Sequence, residues 1–350
     1  MIYSIRTEIK HLAIHVVGNK TKNEPLILSR KLTEQLKNNK DLESTLISFF
    51  LNGFKSDEYY SLHHDVDLSC NEIYNYVSKI FENEELILEY SANIATHLYE
   101  TGTHPQIKLG ELYIAHIIGC EYKGETVDAI GIFKSENKDT FLDVYSEDAN
   151  IQIETHLGVN TNKLDKGCII FNIDQENGYI VCVIDNTNRG IDARYWIDDF
   201  LHVRQRKDEY YNTHNVMAMC KNYVTKHLPN EFMVTKADQA EILNETIKYF
   251  KEQDNFSFDE FSQKVISDPK VVESFNRFKD EYEQERDIQI EDEFAISDSA
   301  VKKQSRAFKS VIKLDKNFHI YVHGNNQYIK KGYDETTGMY YYQLFFKEEL

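Results

Sequence analysis

Apolar and polar positions alternate over residues 9–17, where Leu12, Ile14 and Val16 share one side of an extended segment, and this predicts an opening strand. Helical spacing then takes over. It predicts a helix pair within residues 29–52, a helix from the capping box Ser69-Cys-Asn-Glu72 into Ile73, Val77 and Ile80, and a helix over about 84–100 stopped by Gly102. Ile87, Tyr90, Ile94 and Leu98 form one stripe along the last of these, the pattern of a side that faces a core. From about 107 to 203 the period shortens to apolar runs separated by turn residues, GELYIAHIIGCEY, ETVDAIGIFKS, KDTFLDVY, NIQIETHLG, GCIIFNI and GYIVCVID, which predicts an antiparallel meander.

Helices return at about 211–228 and 236–252. Ser257-Phe-Asp-Glu260 forms a second capping box, with Phe256 and Phe261 placed as a hydrophobic staple. Asp268-Pro269 opens the next helix with a cap and a proline at the first helical position, and Val271, Phe275, Phe278 and Tyr282 line one side of it. A short helix over about 298–312 precedes two or three strands within KNFHIYVHG, QYIKKGY and GMYYYQLFF. The expected fold class is α+β, with a helical N-terminal part, a central antiparallel β-meander, and a helical C-terminal part closed by a short antiparallel sheet. Two domains are expected, 1–205 and 206–350. There is no internal repeat and only four prolines, so no long linker separates them.

Composition sets only the size of the core, whereas charge bears on the partners. A hydrophobic content of 41% over 350 residues is enough for a sizeable core. The five cysteines, at 70, 120, 168, 182 and 220, form no C-x-x-C pair and read as reduced thiols. The N-terminal stretch is interrupted by Arg6, Glu8, Lys10 and His11, which argues against a signal peptide, and no run is long enough to span a membrane. A cytoplasmic address is the expectation. The net charge of −18 is opposite to that of a typical DNA-binding domain, but it is unevenly placed. Residues 237–300 hold 18 acidic and 7 basic side chains, and residues 301–316 hold 6 basic and 1 acidic.

Candidate chemistry is sparse. His63-His-Asp-Val-Asp67 offers donors on adjacent residues of an extended segment, which point to opposite sides, and no third ligand cluster is evident. His319 and His323 share a strand face yet stand about 13 Å apart at the rise of an extended chain. Asp128 with Glu136-Asn-Lys138 resembles the acid-plus-E-x-K set of metal-dependent nucleases, although a solvated hairpin tip explains the same residues. Phosphate-binding loops, dinucleotide fingerprints and zincin motifs are missing, so no catalytic residue, metal or cofactor is assigned. In the basic stretch, Lys302, Arg306, Lys309 and Lys313 recur at steps of four, three and four, and Lys303 and Lys316 add to them. On one continuous helix they would form a face suited to phosphate contacts independent of base sequence; the alternative is a solvated face that neutralises the acidic segment before it. Glu281, Glu283, Glu285, Asp287, Glu291, Asp292 and Glu293 make a dense negative surface that could imitate a phosphate track for a basic partner.

Several longer blocks carry a family resemblance. Phe54-Lys-Ser-Asp-Glu-Tyr-Tyr60, Ile94-Ala-Thr-His-Leu-Tyr-Glu100 with His104-Pro105, Gly131-Ile-Phe-Lys-Ser-Glu-Asn-Lys138 and Asn162-Lys-Leu-Asp-Lys-Gly-Cys168 are four of them. Tyr195-Trp-Ile-Asp-Asp-Phe-Leu201, Ser297-Asp-Ser-Ala-Val-Lys-Lys303 and Lys313-Leu-Asp-Lys-Asn-Phe-His-Ile320 are three more. Together they resemble the bacterial nucleoid-associated protein family of YejK (NdpA), in its Bacteroidetes form, over essentially the whole chain. The resemblance implies a nucleoid-located protein that associates with double-stranded DNA and is not an enzyme. Three readings follow: DNA binding through the basic surface at 301–316, an acidic module docking on a nucleoid partner such as a type II topoisomerase, and a metal-dependent nuclease.

Overall fold

The computed structural model describes residues 3–105, 107–148, 150–187, 195–308, 311–322 and 328–348. It divides into two units, Met1–Arg206 and Lys207–Leu350. Among the described residues there are nine helices and sixteen strands, a mixed α+β composition with one large antiparallel sheet and several small ones.

The first unit begins with β1 (Tyr3–Val17), β2 (Leu26–Ile27), α1 (Lys40–Leu51), β3 (Tyr60–Leu62), α2 (Glu72–Glu82) and α3 (Ile87–Thr101). It continues with β4 (Gly110–Tyr122), β5 (Glu125–Ser135), β6 (Asp139–Glu147), β7 (Asn150–Gly158), β8 (Lys166–Phe171), β9 (Ile180–Asp185) and β10 (Val203–Gln205). Eight of these strands form one antiparallel sheet in the order β10-β3-β9-β8-β5-β4-β1-β2. Its central strands are apolar on both faces because helices cover both. Ile114, Ile130, Ile132 and Ile170 pack under Ile73, Val77, Ile94 and Leu98 of α2 and α3. Tyr113, Ala115, Phe133 and Ile169 meet Phe49 and Phe50 of α1 on the other side, where the Phe50 and Phe133 rings stack at 4.3 Å.

The meander expected between residues 107 and 203 is present as β4-β5-β8-β9, with one departure. β6 and β7 pair with each other in a separate two-stranded ribbon, from Asp139 opposite Gly158 to Glu147 opposite Asn150. Their alternation explains why. Leu142, Val144, Ile151, Ile153 and Leu157 fall on one face, all exposed, while Asp143, Glu147 and Glu154 fall on the other. A strand between two helical layers needs two apolar faces, and these have one.

Local signals in the first half are shifted in two places. The helix pair expected within 29–52 is a short 3-10 turn, Gln35–Asn38, followed by α1. The capping box expected at Ser69 does not form: Asp67 caps the short turn Leu68–Cys70, and Asn71 caps α2 by accepting from the Tyr74 N–H at 2.8 Å. Asn71 is 1% exposed, and its amide also donates to the backbone carbonyls of His63, Leu201 and His202 at 2.9–3.1 Å. The cap is therefore also a tie between distant loops.

The second unit runs α4 (Glu209–Asn222), α5 (Leu228–Glu231), α6 (Lys236–Glu252), β11 (Asn255–Ser257), α7 (Phe258–Phe261), α8 (Pro269–Arg286), β12 (Glu293–Ala295) and α9 (Asp298–Ser305). It ends with β13 (Val311–Leu314), β14 (Phe318–Tyr321), β15 (Ile329–Asp334) and β16 (Met339–Leu344). Its core is aromatic: Phe256 stacks on Phe250, Phe258 lies parallel to Phe275, and Phe256 meets Phe261 at 5.6 Å in the expected staple. Ser257 begins α7 without a side-chain cap, whereas Asp268 caps α8 ahead of Pro269 as expected. A smaller cluster of Ala237, Ala240, Ile312 and Val322 seats the β13–β14 hairpin on α6.

Candidate functional site

The basic segment does not form one helix. α9 ends at Ser305 and Arg306 is its C-cap; the Ala307 and Phe308 N–H groups then donate to the Gln304 and Ser305 carbonyls, which tightens the last turn. The cause is that the apolar residues Phe308 and Ile312 go to different cores. Phe308 turns into the aromatic core of the unit, while Ile312 belongs to the separate cluster on α6, and Val311–Leu314 pair with Phe318–Tyr321 as a hairpin. A helix cannot serve two cores that lie in different directions.

The cations are redistributed accordingly. Lys302 and Lys303 occupy the last turn of α9, Arg306 caps it, Lys313 lies on β13 opposite His319, and Lys316 sits in the turn before β14. All five are exposed, and Lys309 lies outside the described residues, as does His323. Lys302, Lys303 and Arg306 at the carbonyl end of α9 also complement its dipole. Lys303 lies over the Tyr210 ring at 5.5 Å. The β15–β16 ribbon continues the theme with Lys330 over Phe345 at 5.4 Å and Lys331 over Tyr340 at 4.7 Å. Tyr333, Tyr340 and Tyr341 of the same ribbon are exposed, as is Tyr321 at the end of β14. The signal in the sequence is Lys330 and Lys331 between Tyr328 and Tyr333, facing the tyrosine run Tyr340–Tyr342 across the turn.

The acidic residues gather around the end of α8. Glu281, Glu283 and Glu285 belong to its last turns, Asp287 is its C-cap in a left-handed conformation, and Glu291, Asp292 and Glu293 lead into β12. Two of the seven have local duties: Glu283 accepts from the Ile290 N–H at 2.7 Å, and Asp292 pairs with Lys279.

Asp128, Glu136 and Lys138 do not converge. Asp128 and Glu136 are eight residues apart along β5 and its end, about 26 Å at the rise of a strand. Glu136 is not a solvated hairpin tip either. It is buried, accepts from Lys134 Nζ at 2.9 Å and from the Tyr195 hydroxyl at 3.1 Å, while Lys138 pairs with Glu111.

Glu136 belongs to a polar cluster that sequence reasoning missed. Lys134 on β5 and Lys166 on β8 are direct cross-strand partners, 0% and 1% exposed. Like charges so placed repel, and each is offset by its own carboxylate, Glu136 for Lys134 and Asp185 for Lys166 at 2.8 Å. Burial lowers the Lys134 pKa against the opposing pull of Glu136, and burial followed by Glu136 raises that of Tyr195. Asp165 accepts from the Glu136 and Asn137 N–H groups at 2.6 and 2.9 Å. Lys166 Nζ lies 5.3 Å over the Tyr195 ring. Glu136, Asp165, Asn137 and Pro105 line a cleft of about 430 Å³, with Lys22 and Lys108 at it. Blocks 131–138, 162–168 and 195–201, together with Pro105, thus meet in one place. Lys134 Nζ is enclosed by two acceptors, the Glu136 carboxylate and the Lys108 carbonyl, so it acts as a fixed donor that holds strand ends together.

Fold and site define a mixed α+β protein of two units, one built round a large two-faced sheet and the other carrying exposed cations on a helix end and hairpin. The family model of the nucleoid-associated protein YejK matches residues 13–339, nearly the whole chain, and the chain belongs to that family. Membership supports a nucleoid-associated role, in a family that is generally non-enzymatic. No curated protein and no solved structure matches it. None of the described helices is long and apolar enough to cross a membrane.

Proposed function

We propose that the protein binds double-stranded DNA at the nucleoid without chemistry on it, through the basic surface of its second unit. The observation that carries this reading is the exposure of Lys302, Lys303, Arg306, Lys313 and Lys316 on a helix end and an adjoining hairpin. In a chain of net charge −18, residues 301–350 hold nine basic and five acidic side chains, so the local field there is opposite to the total. Contacts of this type go to phosphates and are independent of base sequence. Retardation of two unrelated duplexes by the full chain should agree within a few-fold, and replacing the five cations by Ala should weaken both at least ~10-fold. No retardation by the unaltered protein, or equal affinity in the variant, overturns the reading. Supercoiled plasmid incubated with the protein and magnesium or manganese should stay intact; nicking abolished by Glu136→Ala would restore the nuclease alternative.

A second reading, an acidic surface for a basic partner, is favoured by one observation. Glu281, Glu285 and Asp287 are exposed at the carbonyl end of α8, where the helix dipole disfavours carboxylates. Reversing their charges should abolish capture of basic nucleoid proteins and leave DNA retardation intact. Capture that survives the reversal removes this surface from consideration.

A further inference from the structure

Away from both charged surfaces, the large sheet places two histidines side by side. His11 on β1 and His116 on β4 are direct cross-strand partners, so both imidazoles rise from the same face, with ring centroids 6.1 Å apart. Glu84 begins the short turn Glu84–Leu86 between α2 and α3 and reaches down to them. Its two carboxylate oxygens lie 3.5 Å from His116 Nδ1 and 4.0 Å from His11 Nε2, and one donor atom from each residue lies within 4.8 Å of the other two.

The strongest sign that these groups serve a ligand is His116 itself. It is 5% exposed, and its Nδ1 has no hydrogen-bond partner although the Glu84 carboxylate lies 3.5 Å away. A buried polar atom left in this way costs about 1–3 kcal/mol unless something else satisfies it. Lys10 competes for the carboxylate, its Nζ 2.6 Å from Glu84 Oε2 on a half-exposed side chain. His11 also lines a cleft of about 600 Å³.

We propose that His11, Glu84 and His116 bind one divalent cation of the zinc class. Two imidazoles and a carboxylate suit zinc and its transition-metal neighbours and not magnesium or calcium, which take oxygen donors. Metal–donor bonds of about 2.0–2.2 Å in a tetrahedron set donors roughly 3.4 Å apart, so separations of 3.5 and 4.0 Å, and none above 4.8 Å, need a contraction of at most about 1.4 Å to close on a cation. Three protein donors leave a fourth position for water. The bound ion ties the β1–β4 pair to the connection between α2 and α3.

The test is a titration of the metal-free, full-length protein with zinc chloride in competition with a chromophoric chelator. One zinc per chain is expected, and Glu84→Gln, which keeps the shape and the contact with Lys10, should weaken binding more than ~10-fold, as should His11→Ala. Both positions are partly exposed, so these variants keep their fold even where His116→Ala does not. His63→Ala, outside the cluster, should change nothing. Cobalt substituted for zinc should show the intense visible absorption of a four-coordinate ion and lose it in Glu84→Gln. Absence of stoichiometric zinc, or zinc held equally well by Glu84→Gln and His11→Ala, overturns the assignment.

Discussion

Two buried side chains in the first unit set measurable stabilities. His15 is 1% exposed; its Nδ1 accepts from the Ser29 N–H at 3.1 Å and its Nε2 lies 2.9 Å from Ser91 Oγ, so the folded protein holds the neutral ring. Burial lowers its pKa from 6.5 to about 4. The unfolded chain therefore takes up a proton first as pH falls, and the contribution of His15 is full above pH 6.5 and lost towards pH 4, about 3 kcal/mol in all. Urea melts over that range should show the slope, and His15→Gln should flatten it. Lys134 gives a second case. Lys134→Ala leaves Glu136 buried without its cation and should cost about 3–5 kcal/mol, whereas Lys134→Met with Glu136→Leu should recover most of it. Equal losses in the single and double variants would sink that account. Neither residue was legible in the sequence: lysine in a strand reads as solvent-facing, and the group that completes its site, Tyr195, is supplied 59 residues beyond Glu136.

At the scale of elements, the sequence marked most helices and strands but misplaced some of their ends. Lys236–Glu252 and the start of α8 were readable because period and flanking residues agree there. The start of α2 was not, because Ser69, Asn71 and Asp67 are all competent caps and only the tertiary bonds of Asn71 choose among them. Asn71→Ala should therefore destabilise by about 2–4 kcal/mol, a lost cap plus lost carbonyl partners, while Ser69→Ala should change stability by less than about 0.5 kcal/mol. Chemical denaturation of the two variants side by side measures the difference; similar losses would contradict the assignment of the cap. The basic segment failed for a related reason. Its cations repeat at helical steps past Ser305, but periodicity does not say which core receives Phe308 and which receives Ile312.

For the whole molecule, the α+β class and the antiparallel character of the sheet were legible from the switch between the two periods along the chain. The convergence of the family-like blocks on Lys134, Glu136, Asp165 and Lys166 was not, since it depends on strand register. The histidine pair escaped for the same reason: His11 and His116 become neighbours through β1–β4 pairing alone. Net charge, read by itself, points away from DNA, and only a local basic field can oppose it. Salt dependence tests that most directly. Logarithms of duplex affinity for the full chain, plotted against the logarithm of salt concentration, should fall with a slope of about −0.9 per phosphate contact. With Lys302, Lys303, Arg306, Lys313 and Lys316 replaced by Ala, and circular dichroism unchanged, the slope should become shallower by about 0.9 for each contact removed. Parallel lines for the two proteins would place the DNA-binding surface elsewhere and contradict the account.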